Sequence, residues 1–429
     1  MRAERNDAVR QMSVPLYLLA KIYFFFRSRN RRQVFTYDFP KDRFRDAQVI
    51  VLSDHASFES YVNVARGLPL PRSTHPVIAN LHFLRPVEGR FLTWGHAIPI
   101  RPYVSDLAGL MKMVRAVKAG HSLLLFPEGM YSFCGVTHPI MPATVGFLRE
   151  MGVDVILAVA NGEFLTTPRF HRDRKRGTVE VRFSHLFTGE ELLSRPVEEL
   201  EDKLCAALRY NDFLWNEEKR YSYRGRFPNC TGIENVLYLC PRCGSEGALF
   251  TRGNDICCKA CGNTVTMDEA YRITPKAAGD CLPYRRVDEW YLAQRRRVRA
   301  QVKREADFSL RFAAALHILA ERGRRGFRRV GEGTLTIDRS GTTYRGSRNG
   351  EETELFIPIR RSFGASNQDN RYLVFYDGGD TLGFTITDGT PIVKAEAAIE
   401  ELHALTDPAW ERALCRAYYP EETRREGEQ

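Results

Sequence analysis

With 429 residues, 43% hydrophobic and 27% charged, the chain can bury more than one core, and its length predicts two or three domains. A net charge of +10 and an isoelectric point of about 9.1 favour an anionic partner, with phosphate on a membrane surface or on nucleic acid serving equally. Ten cysteines, half of them between Cys240 and Cys261, exclude a disulfide scaffold and point to a reducing compartment and a metal site.

The first predicted element is the apolar segment from Ser13 to Phe26, within an N-terminal region of residues 1–33. It falls short of the roughly twenty residues that span a bilayer. RSRNRR follows it, which disfavours translocation. A helix lying in the membrane interface is expected, with Tyr17 and Tyr23 among the headgroups; the alternative is a helix packed on the core.

Residues 34–227 alternate strand and helix signals, which predicts an α/β domain with a mostly parallel sheet. Leu107, Leu110, Met111, Val114 and Val117 form one apolar face of a helix from Ser105 to Lys118. The run Val49 to Leu52 suits a buried parallel strand, and Ser53 and Asp54 break it just before His55. Open α/β sheets place their chemistry at such strand ends.

Three stretches, VIVLSDHASFES, GHAIPIRP and LLLFPEG, belong together. In order and spacing they resemble the glycerolipid acyltransferase family of the 1-acylglycerol-3-phosphate type. Its members move a fatty acyl group from a thioester onto a hydroxyl of glycerol phosphate or a lysophospholipid, in phospholipid synthesis. The resemblance covers residues 34–223. His55 and Ser57 match the first block, whose Asp position holds Ser60; Gly95, Ile98, Ile100 and Arg101 match the second. Phe126, Pro127, Glu128, Gly129 and Ser132 match the third, which departs at Met130 and Tyr131, so its usual phosphate-binding Arg is absent. The resemblance implies that His55 is the base, that Arg101 binds acceptor phosphate, and that Glu128 and Gly129 shape the acceptor site. It also implies an acyl thioester donor, on coenzyme A or acyl carrier protein.

A histidine base works best when a carboxylate fixes its tautomer. Glu59 stands four residues after His55, on the same face if the segment is helical, and is the expected partner; Asp54 is the other local carboxylate. If neither serves, the chain is a catalytically weakened, lipid-binding relative. His96, His121 and His138 have no partners at metal or dyad spacing and are expected to be structural.

Residues 235–275 predict a zinc ribbon. Cys240 and Cys243, then Cys258 and Cys261, form two C-x2-C knuckles fourteen residues apart, suited to tetrahedral thiolate coordination of a structural zinc. Cys257 could replace Cys258 at a less favourable spacing, and an iron site or a redox dithiol pair are alternatives.

A basic helical linker is expected over residues 285–329, with fourteen Arg or Lys against five acids, a net +9. It suits a headgroup or nucleic-acid contact, or a solvated linker. Residues 330–406 predict antiparallel strands and one amphipathic helix, similar in pattern to a pleckstrin-homology-like barrel or to a β-sandwich with a packed helix; residues 407–429 form a tail. Together these features predict a cytoplasmic protein, peripheral at the inner face of the membrane, with an anionic lipid surface as partner. Its rival is a nucleic-acid-binding zinc-ribbon protein, which sparse aromatics in the basic stretch disfavour.

Overall fold

The computed structural model describes residues 13–40, 47–68, 74–171, 173–319, 326–361, 364, 366–368, 371–378 and 380–422. In its first sheet, β2 (Val49–Ser53) lies between β6 (Asp154–Asn161) and β5 (Leu123–Leu125), parallel to both, with all five residues buried. Burial on two faces is why the run is apolar throughout rather than alternating. The sheet continues through β1 (Arg31–Tyr37), β3 (His75–Ala79), β4 (Ile98–Ile100) and β7 (Gly177–Phe187) in the order β1-β7-β6-β2-β5-β3-β4. Five of its six pairings are parallel and β6 with β7 is antiparallel, so β1 and β7 run against the rest. The sheet is thus mixed with mostly parallel pairings, which fits the expected α/β domain.

The helix Val14–Arg27 rests on the helix Ser60–Gly67 through Tyr17 and Phe24. Leu18, Leu19, Ile22, Tyr23, Phe25 and Phe26 stay exposed. Lys21, which interrupts the apolar run, donates to Ala65 O at 2.6 Å, Arg66 O at 3.0 Å and Leu68 O at 2.5 Å. It therefore satisfies carbonyls at the end of the second helix that have no partner within that helix. Burial, with Arg66 adding, pulls its amine down to about 8. Among the described residues no helix is long and apolar enough to cross a membrane. The boundary expected at residue 33 falls inside β1, which pairs with β7 from Arg31 onward.

The second sheet is antiparallel, in the order β11-β10-β9-β8, with β8 (Leu249–Arg252), β9 (Asp255–Cys258), β10 (Thr264–Met267) and β11 (Ile273–Pro275). Two expectations beyond it are corrected. The basic stretch is helical only over Val287–Arg304; Ser309–Leu319 is strand β12, in which Phe312, Ala314 and Leu316 alternate inward before a bulge. That strand opens the third sheet, which is antiparallel and adds β13 (Phe327–Asp338), β14 (Gly341–Arg348), β15 (Glu351–Pro358), β16 (Ser366–Gln368), β17 (Tyr372–Asp377) and β18 (Asp380–Ile386) in the order β15-β14-β13-β12-β18-β17-β16. The region expected to be a tail is the helix Pro408–Tyr418, burying Trp410, Leu414 and Tyr418. Arg322, Arg324 and Arg325 of the basic stretch, and residues 423–429, lie outside the described residues.

The units share their interior. One buried cluster runs from Phe133, Phe164 and Tyr223 through Trp290 and Val298 to Leu335, Phe384 and Trp410. Ile50, Leu52 and Leu157 face a second cluster on one side of the first sheet, and Val49, Val51 and Leu124 a third on the other.

Candidate active site

β2 delivers the chain to His55 at a junction held from below. Asp54 Oδ1 accepts from Ala160 N at 2.8 Å, tying the end of β2 to β6. The turn after β5 then grips His55 from both sides. His55 N donates to Glu128 Oε1 at 2.7 Å, and Ser132 N donates to His55 O at 2.9 Å. The imidazole stacks on Phe126 with centroids 4.2 Å apart and meets Tyr131 edge-on at 4.3 Å. His55 remains partly exposed between these rings. Gly129 makes the turn possible with φ +68° and N donating to Phe126 O at 3.0 Å; a Cβ there would sit 2.9 Å from Met141 Cε. It is exposed, so a ligand could approach its backbone.

Electrostatics keep the histidine neutral. Burial pulls His55 well below its ordinary value, and the charges of Arg169, His82 and His138 push the same way. A neutral imidazole near pH 7 can accept a proton. The carboxyls of Asp54, Glu128, Glu163 and Asp212 are fully buried. Burial pushes Glu128 and Asp212 each up to about 8, and raises Asp54 and Glu163, against backbone or hydroxyl donors that favour the ionised forms.

Several expected roles are corrected. Glu59 does not meet His55: its carboxylate is held by Arg27 at 2.7 Å, Arg31 at 3.2 Å and Arg174 at 3.1 Å. The helix begins at Ser60 with Glu59 as its N-cap, so residues 55–59 lack the geometry that puts positions i and i+4 on one face. The Nδ1 of His55 is buried and has no hydrogen-bond partner among the described residues. Glu128 is fully buried and accepts from His55 N and, at 2.5 Å, from His138 N, so its carboxylate ties the His55 loop to the chain beyond the turn after β5. Arg101 follows β4 with its side chain 39% exposed and its guanidinium 3.5 Å from Asp106. Three strand positions separate β4 from β2, about 14 Å at ordinary spacing.

Two residues were missed. Glu163, brought by β6, accepts from Ser57 Oγ at 2.7 Å, from Asn63 Nδ2 at 2.8 Å and from Ser60 Oγ. Position 60 thus meets a carboxylate supplied by another part of the chain. Arg169 lies beside the third-block turn and acts on His55 through its charge. Neither carries a local sequence signal, because both reach the site across more than a hundred residues.

The four predicted cysteine ligands come together: the sulfur atoms of Cys240, Cys243, Cys258 and Cys261 all lie within 4.8 Å of one another. Cys240 and Cys261 Sγ are 3.7 Å apart, Cys243 and Cys258 3.8 Å. Zinc–sulfur bonds of about 2.3 Å in a tetrahedron set neighbouring sulfurs about 3.8 Å apart, so the set fits that ion. Gly244 and Gly262, at φ +70° and +74°, close two matching knuckles. Cys257, next to Cys258 on β9, is outside the cluster because neighbouring strand residues face opposite sides.

The basic helix is largely neutralised from within. Arg295 pairs with Glu400 at 2.8 Å and Glu401 at 3.1 Å; Arg299 pairs with Glu401 at 2.7 Å, with Glu422 at 2.8 Å and with Glu411. Both arginines are buried, which corrects their expected role in headgroup or nucleic-acid contact. His138, expected to be structural, joins this network to the turn after β5: its ring meets Tyr418 Oη at 2.5 Å and Glu400 at 3.5 Å, while its N–H bonds Glu128.

The first sheet and the histidine at its edge define an α/β domain with a candidate catalytic strand end. No family model matches the chain, and no curated protein matches it. Among solved structures it is similar to the 1-acyl-sn-glycerophosphate (LPA) acyltransferase PlsC from Thermotoga maritima, at 14% identity and a TM-score of 0.38, over 45% of this chain and 76% of that one. That degree of likeness leaves the chemistry to the residues themselves.

Proposed function

We propose that the protein is an O-acyltransferase moving a fatty acyl group from an acyl thioester to a hydroxyl of a glycerol phosphate or lysophospholipid. The observation that carries this reading is the pair of main-chain bonds at His55, which join its block to Glu128 and Ser132. Residues 73 positions apart, matching two blocks of one motif set, are joined through the His55 main-chain N–H. His55 takes the proton of the acceptor hydroxyl as its oxygen attacks the thioester carbonyl. The new C–O bond forms, the C–S bond breaks, and the proton passes from His55 to the departing thiolate. Coenzyme A and acyl carrier protein are both suitable donors.

Zinc would be held by Cys240, Cys243, Cys258 and Cys261, where it supplies a structural cross-link to a small sheet. The exposed apolar side of the helix Val14–Arg27 would rest in an anionic membrane surface, at the inner, cytoplasmic face. Purified protein with lysophosphatidate and a labelled acyl thioester tests the reading directly: product that requires His55 supports it. A second reading, a lipid-binding relative without turnover, draws on the unpartnered Nδ1 of His55, and lysolipid binding without product would favour it.

A further inference from the structure

The turn after β5 departs from its motif at Met130 and Tyr131, and one guanidinium reaches both departures. Arg169 donates through Nη1 to Tyr131 O, and its Nη2 lies 3.5 Å from Met130 Sδ. Its plane lies over the Phe133 ring, 4.1 Å from the centroid. Backbone, thioether and aromatic face fix its direction, yet it remains partly exposed. Tyr131, whose carbonyl it holds, is the residue whose ring stands 4.3 Å from the His55 ring.

We propose that Arg169 is a ligand for the phosphate of the acyl acceptor and sets the preference for a phosphate-bearing glycerolipid over a neutral one. The inference rests on the acyltransferase reading. A planar, restrained guanidinium is the group best matched to a phosphate's oxygens, and restraint means less freedom is lost when they bind. The electrostatic surroundings agree. Of the groups whose charges act most on His55, Arg169 is the permanent cation, since burial holds His138 below its ordinary value. The acid acting on Arg169 is Glu396, on the helix Ile392–Ala404 of the last unit; burial lowers the guanidinium's pKa and Glu396 opposes that. Glu396 is therefore the internal anion with which a phosphate would compete. Arg101 lies too far along the sheet edge to stand in for Arg169 at His55.

The test uses the full chain and two readouts. In calorimetric titration with sn-glycerol 3-phosphate, Arg169→Gln should weaken binding about tenfold or more, as loss of a charged bidentate partner does. Arg169→Lys should recover part of the loss, and Glu396→Gln should tighten binding. In turnover, Arg169→Gln should lower the ratio of rates for lysophosphatidate over monoacylglycerol by about tenfold, through KM. Near-ultraviolet circular dichroism identifies a misfolded Gln variant, in which case Arg169→Lys decides. Binding unchanged in either variant, equal loss for both acceptors, or no binding by the wild type overturns the proposal. Phosphate bound through Arg169 by a wild type that transfers no acyl group upholds the ligand and rejects the acyltransferase reading.

Discussion

Ser57 Oγ donates to Glu163 Oε1 at 2.7 Å, and Ser60 Oγ donates to the same oxygen. The position where the resembled motif carries Asp is thus already in contact with a buried carboxyl. Ser60→Asp would set a second acid against it and remove a hydroxyl donor. We expect this substitution to destabilise the fold by about 2 kcal/mol or more, and Glu163→Gln to recover part of the loss. Denaturant unfolding of the single and double variants checks it; additive effects would show that the two positions do not interact.

His55→Ala should cut turnover by about 10²-fold or more, the usual weight of a general base, with the unfolding midpoint little changed. Glu59→Gln should act in the opposite way. It leaves Arg31 buried without its carboxylate and should cost about 3 kcal/mol of stability, whereas the rate per folded molecule falls far less than in the His55 variant. Comparable rate losses in the two variants would return Glu59 to the chemistry.

The pH dependence separates base from buried acids. Because His55 is held well below its ordinary value, the rising limb of kcat/KM should have its midpoint below 6.5. Arg169→Gln removes one of the positive charges facing it and should move the limb upward, while His82 and His138 remain. Stability follows the carboxyls. Glu128 and Asp212, near 8 in the folded chain and 4.5 and 3.8 otherwise, bind more protons folded than unfolded in between. Their contribution is present at low pH and is lost as pH rises through about 8. Between pH 7 and 8, where unfolded histidines are already neutral, unfolding free energy should fall by about 1 kcal/mol per group. Stability that rises across that unit would contradict the assignment.

Elemental analysis should find one zinc per chain, and Cys243→Ser should lower the Tm more than it lowers the initial rate in the cold. Iron in place of zinc, or protein prepared without chelator that holds neither, rejects the ribbon.

Phe25 and Phe26 are 53% and 58% exposed, so replacing both by Ser should leave the unfolding midpoint nearly unchanged. Partition onto anionic vesicles should weaken by about tenfold or more. Salt should weaken it further through exposed basic residues. Undiminished binding would place the membrane contact elsewhere.

What the sequence made legible was what is encoded locally. The apolar run of β2 and the cysteine spacing each fix their own geometry within a few residues. Strand β12 was hidden because the charges around it dominate its composition; the alternation of Leu310, Phe312, Ala314 and Leu316 was present and could have been found. The Glu59 expectation failed on one local fact, that the helix starts five residues after His55. Glu163, Arg169 and the acids facing Arg295 depend on which distant segments pack together, and no window of sequence contains that.

Lys21 changes how truncation experiments must be interpreted. A protein trimmed before residue 34, as one would make to improve solubility, loses the cation that finishes the helix Ser60–Gly67. It also loses Arg27 and Arg31 from Glu59 and the first residues of β1. Inactivity in such a protein would report a disturbed strand end at His55, and only exposed-face substitutions that keep Lys21 can separate that from detachment from lipid.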